Sequence, residues 1–124
     1  REAWLKEQNR AVQRGKESQW CIFDPIISAI YGEWFQASGD AKYLKLQTLH
    51  LNRALGQITG ENNTVDTGKG NNEPVKIPAY RCPELYYWQH GEYVPNVSTP
   101  LLWTQANLCI ALKMMERNLA VSQP

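Results

Sequence analysis

One carboxylate stands apart in the chemistry its neighbours suggest. Glu84 follows Pro83 and precedes Leu85-Tyr86-Tyr87-Trp88, so it lies among aromatic rings rather than along a charged helix face. A carboxylate partly stripped of water by such neighbours suits general acid or base work. The rings suit sugar, because the C–H faces of a pyranose pack on aromatic planes while its hydroxyls seek carboxylates and amides. On its own residues, Glu84 is either such a group or a surface carboxylate or loop-capping acceptor.

The remaining candidates are more ordinary. Asp24 and Glu33 bracket an aromatic helical stretch, and Asp24 reads as a helix cap. His50 and His90 are the only two histidines; neither stands at ligand spacing with cysteines or carboxylates, so no metal is expected. No cofactor is expected either. Trp34 and Phe35 read as core, and Arg53 either bridges to a buried carboxylate or reaches toward a substrate. Asn62-Asn63-Thr64 and Asn96-Val97-Ser98 have the form of glycosylation acceptors, which matter only in a secreted chain.

Charge and composition exclude whole classes of partner. With 13 Lys+Arg against 12 Asp+Glu, the formal net charge is +1, which makes no electrostatic case for nucleic acid or an anionic membrane. The longest uncharged run, from Tyr93 to Leu112, contains Pro95, Asn96, Pro100, Gln105 and Asn107, all costly in lipid. Five Trp, six Tyr and two Phe supply too much apolar surface for a disordered chain. Three cysteines without a C-x-x-C spacing signal neither a disulfide framework nor a zinc site; reduced, buried thiols in a cytoplasmic setting are expected. The opening Arg1-Glu2-Ala3-Trp4-Leu5-Lys6 reads as helix interior, as if the chain were cut from a longer protein.

Four helices and no strand are expected to position these residues, within one domain over residues 1–124. The first spans Arg1 to Arg14 with Gly15 as its stop. The second starts at an Asp24 cap with Pro25 in the first turn and ends at Ser38-Gly39, its stripe formed by Ile27, Ile30, Tyr31 and Trp34. Asp40 caps the third, which runs to Thr59. Residues 60–74, rich in Gly, Asn and Thr, read as a mobile surface loop. From Val75 to Thr99 the aromatic, proline-rich stretch reads as irregular, with a turn at His90-Gly91, and a long loop of that kind is usually functional. The last helix opens on Thr99 and Pro100 and carries a seam of Leu101, Leu108, Leu112, Met115 and Leu119, with Leu102, Ala106, Cys109 and Ile110 on other faces. A helix apolar nearly all round wants partners on several sides, more than four helices supply. The rest of its own domain is therefore the first partner expected.

A resemblance sharpens this picture. Arg81-Cys82-Pro83-Glu84-Leu85-Tyr86, then Gly91, then Thr99-Pro100-Leu101-Leu102-Trp103-Thr104-Gln105-Ala106 resembles the C-terminal signature of the glucoamylase-type glycoside hydrolases of family 15. The same region occurs in the glucoamylase-like domains of phosphorylase kinase regulatory subunits. Ser28-Ala29-Ile30-Tyr31-Gly32, Tyr43-Leu44 and Leu51-Asn52-Arg53-Ala54-Leu55 resemble the helices that precede it, so the likeness covers about Phe23 to Leu112. It implies an all-α fold, the C-terminal portion of an (α/α)6 barrel, and an inverting hydrolase of α-linked glucose polymers or oligosaccharides. It places the general base on Glu84 and substrate contacts on Trp103 and Tyr86. The alternative it carries is a non-catalytic regulatory or glucan-binding module. Two departures stand out: Leu85 occupies a position where secreted glucoamylases often have Gln, and the family's general acid lies outside this chain. An inverting enzyme needs both carboxylates, about 6.5–9.5 Å apart, so that a water fits between base and sugar.

Overall fold

The computed structural model describes residues 14–67 and 73–122. The expected first helix, apart from Arg14, lies outside them. In chain order the described elements are β1 (Gln19–Trp20), α1 (Phe23–Ser38), α2 (Ala41–Gly56), β2 (Thr64–Val65), β3 (Val75–Lys76), β4 (Leu85–Gln89), β5 (Glu92–Pro95) and α3 (Leu102–Ser122). The all-α expectation, and with it the portion of an (α/α)6 barrel, is therefore corrected: three helices stand beside two antiparallel sheets, ordered β1-β4-β5 and β2-β3.

The error lies in the stretch read as irregular. Leu85–Gln89 and Glu92–Pro95 pair in register, Tyr87 opposite Val94 and Trp88 opposite Tyr93. Tyr, Trp and Val favour a pleated, half-buried surface. The intervening His90 and Gly91 both have positive φ, 49° and 84°, as a two-residue hairpin turn requires. Pro95 is tolerated because β5 is an edge strand. The stretch 60–74, expected as a loop, contains β2, whose Val65 is buried with Ile77, Val94 and the half-buried Tyr87 in a small second core. Gln89 fastens the two sheets together, its side chain accepting from the Asp66 N–H at 3.0 Å and donating to the Asp66 carbonyl at 2.7 Å.

Local signals set most helix ends. Gly39 has φ 68° and donates its N–H to the Phe35 carbonyl at 2.8 Å, closing α1. Asp40 caps α2 by accepting the Lys42 N–H at 3.0 Å. Two expected caps fail. Ile22, not Asp24, precedes α1; the Asp24 carboxylate accepts instead from Gln57 Nε2 and pairs with His50 Nδ1, both at 2.8 Å. Thr99 does not cap α3, since its hydroxyl donates to the Asn96 carbonyl at 2.8 Å and the helix begins at Leu102.

The main core joins Leu51, Ala54, Cys82, Leu108, Ala111 and Met115, with Leu44 and Ile58 against it. Only one line of α3 is buried: Thr104, Leu108, Ala111, Met115 and Asn118. Leu112 and Leu119, expected in the seam, are exposed, as are Leu102, Trp103, Ile110 and Val121; α1 likewise leaves Phe23, Ile30 and Trp34 in the open. Where the three helices meet, the contact is polar. Asn118 Nδ2 donates to Gln47 Oε1 at 2.8 Å and to the Gly32 carbonyl at 3.1 Å, and Ser28 Oγ donates to the Gln47 carbonyl at 2.9 Å. Gly32 permits this approach: a Cβ there would lie 2.5 Å from Met114 Cγ and 2.8 Å from Gln47 Nε2. Gly32→Ala is expected to lower the unfolding free energy by about 1–3 kcal/mol, read as a reduced urea midpoint, because the inserted methyl must push the buried amide aside.

Candidate functional site

Glu84 occupies the last position before β4, and its peptide is held on both sides. Its N–H donates to the Ser98 carbonyl at 3.2 Å and its carbonyl accepts from the Cys21 N–H at 2.9 Å. The Cys21 bond carries the pairing of β4 with β1 one residue further, and the Ser98 bond ties Glu84 to the segment that follows β5. The half-buried side chain meets one partner: Asn96 Nδ2 donates to Glu84 Oε1 at 2.8 Å. Oε2 has no hydrogen-bond partner among the described residues.

The turn leading into Glu84 is anchored by a single threonine. Thr59, buried just beyond α2, donates its hydroxyl to the Pro78 carbonyl at 2.7 Å and accepts the Arg81 N–H at 3.0 Å. Its own N–H donates to the Arg81 carbonyl, and its carbonyl accepts from the Tyr80 N–H. Tyr80 holds φ 56° inside this clamp, a conformation uncommon for a side chain of its size. Cys82 then ties the segment to α3, its N–H donating to Gln105 Oε1 and its carbonyl accepting from the Leu101 N–H.

The other two site residues fall differently. Tyr86 shares the extended segment with Glu84, but its hydroxyl donates to the Gln57 carbonyl at 3.0 Å. Burial, with Cys21 nearby, pushes the phenol's pKa up, so it stays neutral and its proton stays committed to α2. Trp103 projects from the first turn of α3, 56% exposed, with no hydrogen bond or ring contact among the described residues. Glu84 and Tyr86 are thus brought together on one strand, while Trp103 is joined to them only through the bonds of Cys82 with Leu101 and Gln105.

Three features escaped sequence reasoning. Asn96, read only as part of a glycosylation triplet, is the partner of Glu84. Gln57 links Tyr86 to Asp24 and His50. Trp88 and Tyr93 form an edge-to-face pair at 5.3 Å, half open to solvent, with Lys16 Nζ 4.5 Å from the Trp88 ring centre. Alternation along β4 and the pairing register put this aromatic pair on the Tyr86 side of the sheet. The Asn96 contact and the ring pair needed the hairpin register, which only a strand assignment could supply, and the Gln57 link needed the packing of the end of α2 against α1 and β4.

An apolar recess beneath Pro83, lined by Cys21, Pro25, Ala54, Cys82 and Leu108, has no room for a water molecule, and Glu84 is not in its lining. No group of three or more His, Cys, Asp or Glu side chains placed to hold a metal ion occurs among the described residues. No helix of the described residues is long and apolar enough to cross a membrane. The chain matches no family model, no curated protein and no solved structure.

Two tests probe this scaffold. Thr59→Val keeps the shape but leaves the Arg81 N–H and the Pro78 carbonyl without their partner, and an unfolding loss of about 1–3 kcal/mol is expected from denaturant titration. Cys21, 2% exposed, has its thiol pushed up to about 12 by burial first, then by Cys82 and Asp24. The folded chain thus keeps a proton that the unfolded chain releases near 9. The stability this contributes is whole below pH 9 and is lost as pH rises toward 12. Wild type should lose more stability between pH 8 and pH 10.5 than Cys21→Ala does, in paired urea melts.

Proposed function

We propose that this chain supplies the general base of an inverting glycoside hydrolase acting on α-linked glucose polymers or oligosaccharides, an active site of the glucoamylase type. The observation that carries the reading is the state of Glu84. It is half-buried on a fixed peptide, with one oxygen held by Asn96 and the other unengaged among the described residues. A general base needs that combination of fixed direction and an open lone pair. Glu84 Oε2 takes a proton from water, and the water oxygen attacks the anomeric carbon on the face opposite the departing oxygen. A carboxylic acid from outside this chain gives its proton to that oxygen, and the released sugar has inverted configuration.

The rest of the domain, in this reading, covers the apolar residues that α1 and α3 leave open, Phe23, Ile30 and Trp34 on one and Leu102, Trp103 and Ile110 on the other. It would bring the acid opposite Glu84 and turn exposed Trp103 into a wall of the sugar site. The three free thiols, two of them buried, fit a reducing, cytoplasmic setting. The half-open Trp88–Tyr93 pair favours a second reading, a glucan-binding or regulatory module without hydrolysis, since ring faces hold sugar whether or not a base works beside them.

Both readings meet in one experiment on the complete protein. Glu84→Gln should lower maltooligosaccharide hydrolysis by about 10²–10⁴ with binding retained. Glu84→Ala should recover turnover when azide replaces the activated water, releasing the glycosyl azide of inverted configuration. A loss of only a few-fold in Glu84→Gln would remove the base assignment. Binding of maltooligosaccharide by a wild type that never hydrolyses it would favour the second reading.

A further inference from the structure

We propose that Asn96 is the positioning residue for Glu84 and decides which carboxylate oxygen takes the proton, a role that rests on reading Glu84 as the base. An ionised carboxylate only accepts hydrogen bonds, so the amide must present its NH₂ end to Oε1, as it does at 2.8 Å. The other end, Oδ1, is buried with no partner, so nothing else orients the amide. Asn96 is itself fixed through its main chain: its N–H donates to the Leu85 carbonyl at 3.0 Å and its carbonyl accepts the Thr99 hydroxyl at 2.8 Å. The carboxylate therefore cannot turn away from Asn96 without breaking a charge-assisted bond.

This leaves Oε2 with both of its lone pairs open, while one of the two on Oε1 is engaged by Asn96. When water gives up its proton, the new O–H bond forms on Oε2, the O–H bond of the water breaks, and the hydroxide electrons go to the sugar carbon. Oε1 keeps its bond from Asn96 throughout, so neither side chain reorganises during the step. No cationic or acidic side chain makes an ion pair with Glu84 among the described residues. Cys21, whose N–H binds the Glu84 carbonyl, and Cys82 and Tyr86, two residues to either side of Glu84, are all held protonated by burial. Positioning of the base thus falls to this amide rather than to a charge.

The test is a double-mutant cycle on the complete protein with maltooligosaccharide as substrate. Asn96→Ala in the wild-type background should lower kcat roughly 10- to 100-fold with KM unchanged, the cost of a misdirected catalytic group. In the Glu84→Gln background the same change should lower kcat no further, because the residue acts only through the carboxylate. Equal losses in both backgrounds would mean a merely structural role, and no loss in the wild-type background would mean no role; either overturns the proposal. Should Asn96→Ala unfold, Asn96→Leu, of similar size but with neither a donor nor a charge, is read in the same cycle against the same outcomes. Glu84→Gln alone reports separately on the base assignment, so failure of that reading and failure of the positioning role are distinguishable.

Discussion

Two amides shut away from water, Gln47 and Asn118, set the arrangement on which everything else in this chain is built. They lie where α1, α2 and α3 meet, bonded to each other and to the backbone carbonyl of Gly32. A purely apolar contact would let the helices slide past one another at little cost. A buried amide pair does not, because any other register strands its polar groups in a medium that cannot hydrate them. Gly32 belongs to the same constraint, since a Cβ there would meet the Gln47 amide and Met114 Cγ. With the three helices locked, the end of α2 is placed, and the clamp at Thr59 and the carbonyl of Gln57 are placed with it.

From that end the fold reaches the candidate base in a few bonded steps. Thr59 shapes the turn at Tyr80 and Arg81, Cys82 fastens it to α3, and Gln57 receives the Tyr86 hydroxyl. Glu84 sits between these anchors with its peptide bonded on both sides. A carboxylate on a free loop would lose direction to rotation of its own backbone, whereas this one can only turn about its side-chain bonds, and Asn96 restricts those. The sheet, absent from the sequence expectation, is thus what makes the carboxylate rigid. The same sheet carries the Trp88–Tyr93 pair.

The apolar character of α3 was legible from its residues, but not which of its faces would be buried. Leu112 and Leu119 are as apolar as Leu108, yet only Leu108 faces the core. Asn118, which no hydrophobic pattern selects, takes a buried position because its partners there are the Gln47 amide and the Gly32 carbonyl, and Thr104 is buried against the apolar recess of Cys21, Pro25 and Leu108. Burial on a helix with several greasy sides is settled by where its neighbours stand, and periodicity says nothing about that. Asp24 teaches the same point at a helix start. Its spacing before a helix fits a cap, but His50 and Gln57, 26 and 33 residues away, offered its carboxylate better partners.

By itself the sequence determined the features whose cause lies within a few residues. These are the stop at Gly39, the cap at Asp40 and the turn at His90-Gly91. Backbone conformation and short-range hydrogen bonding decide such features, and both are properties of neighbouring residue types. Tertiary structure alone decided that the aromatic stretch is a hairpin, that β1 and β5 flank Glu84, and that an asparagine twelve residues on holds its carboxylate. Strand pairing joins segments through backbone groups that every residue possesses. Its register is therefore set by how the chain closes on itself rather than by any local pattern of side chains.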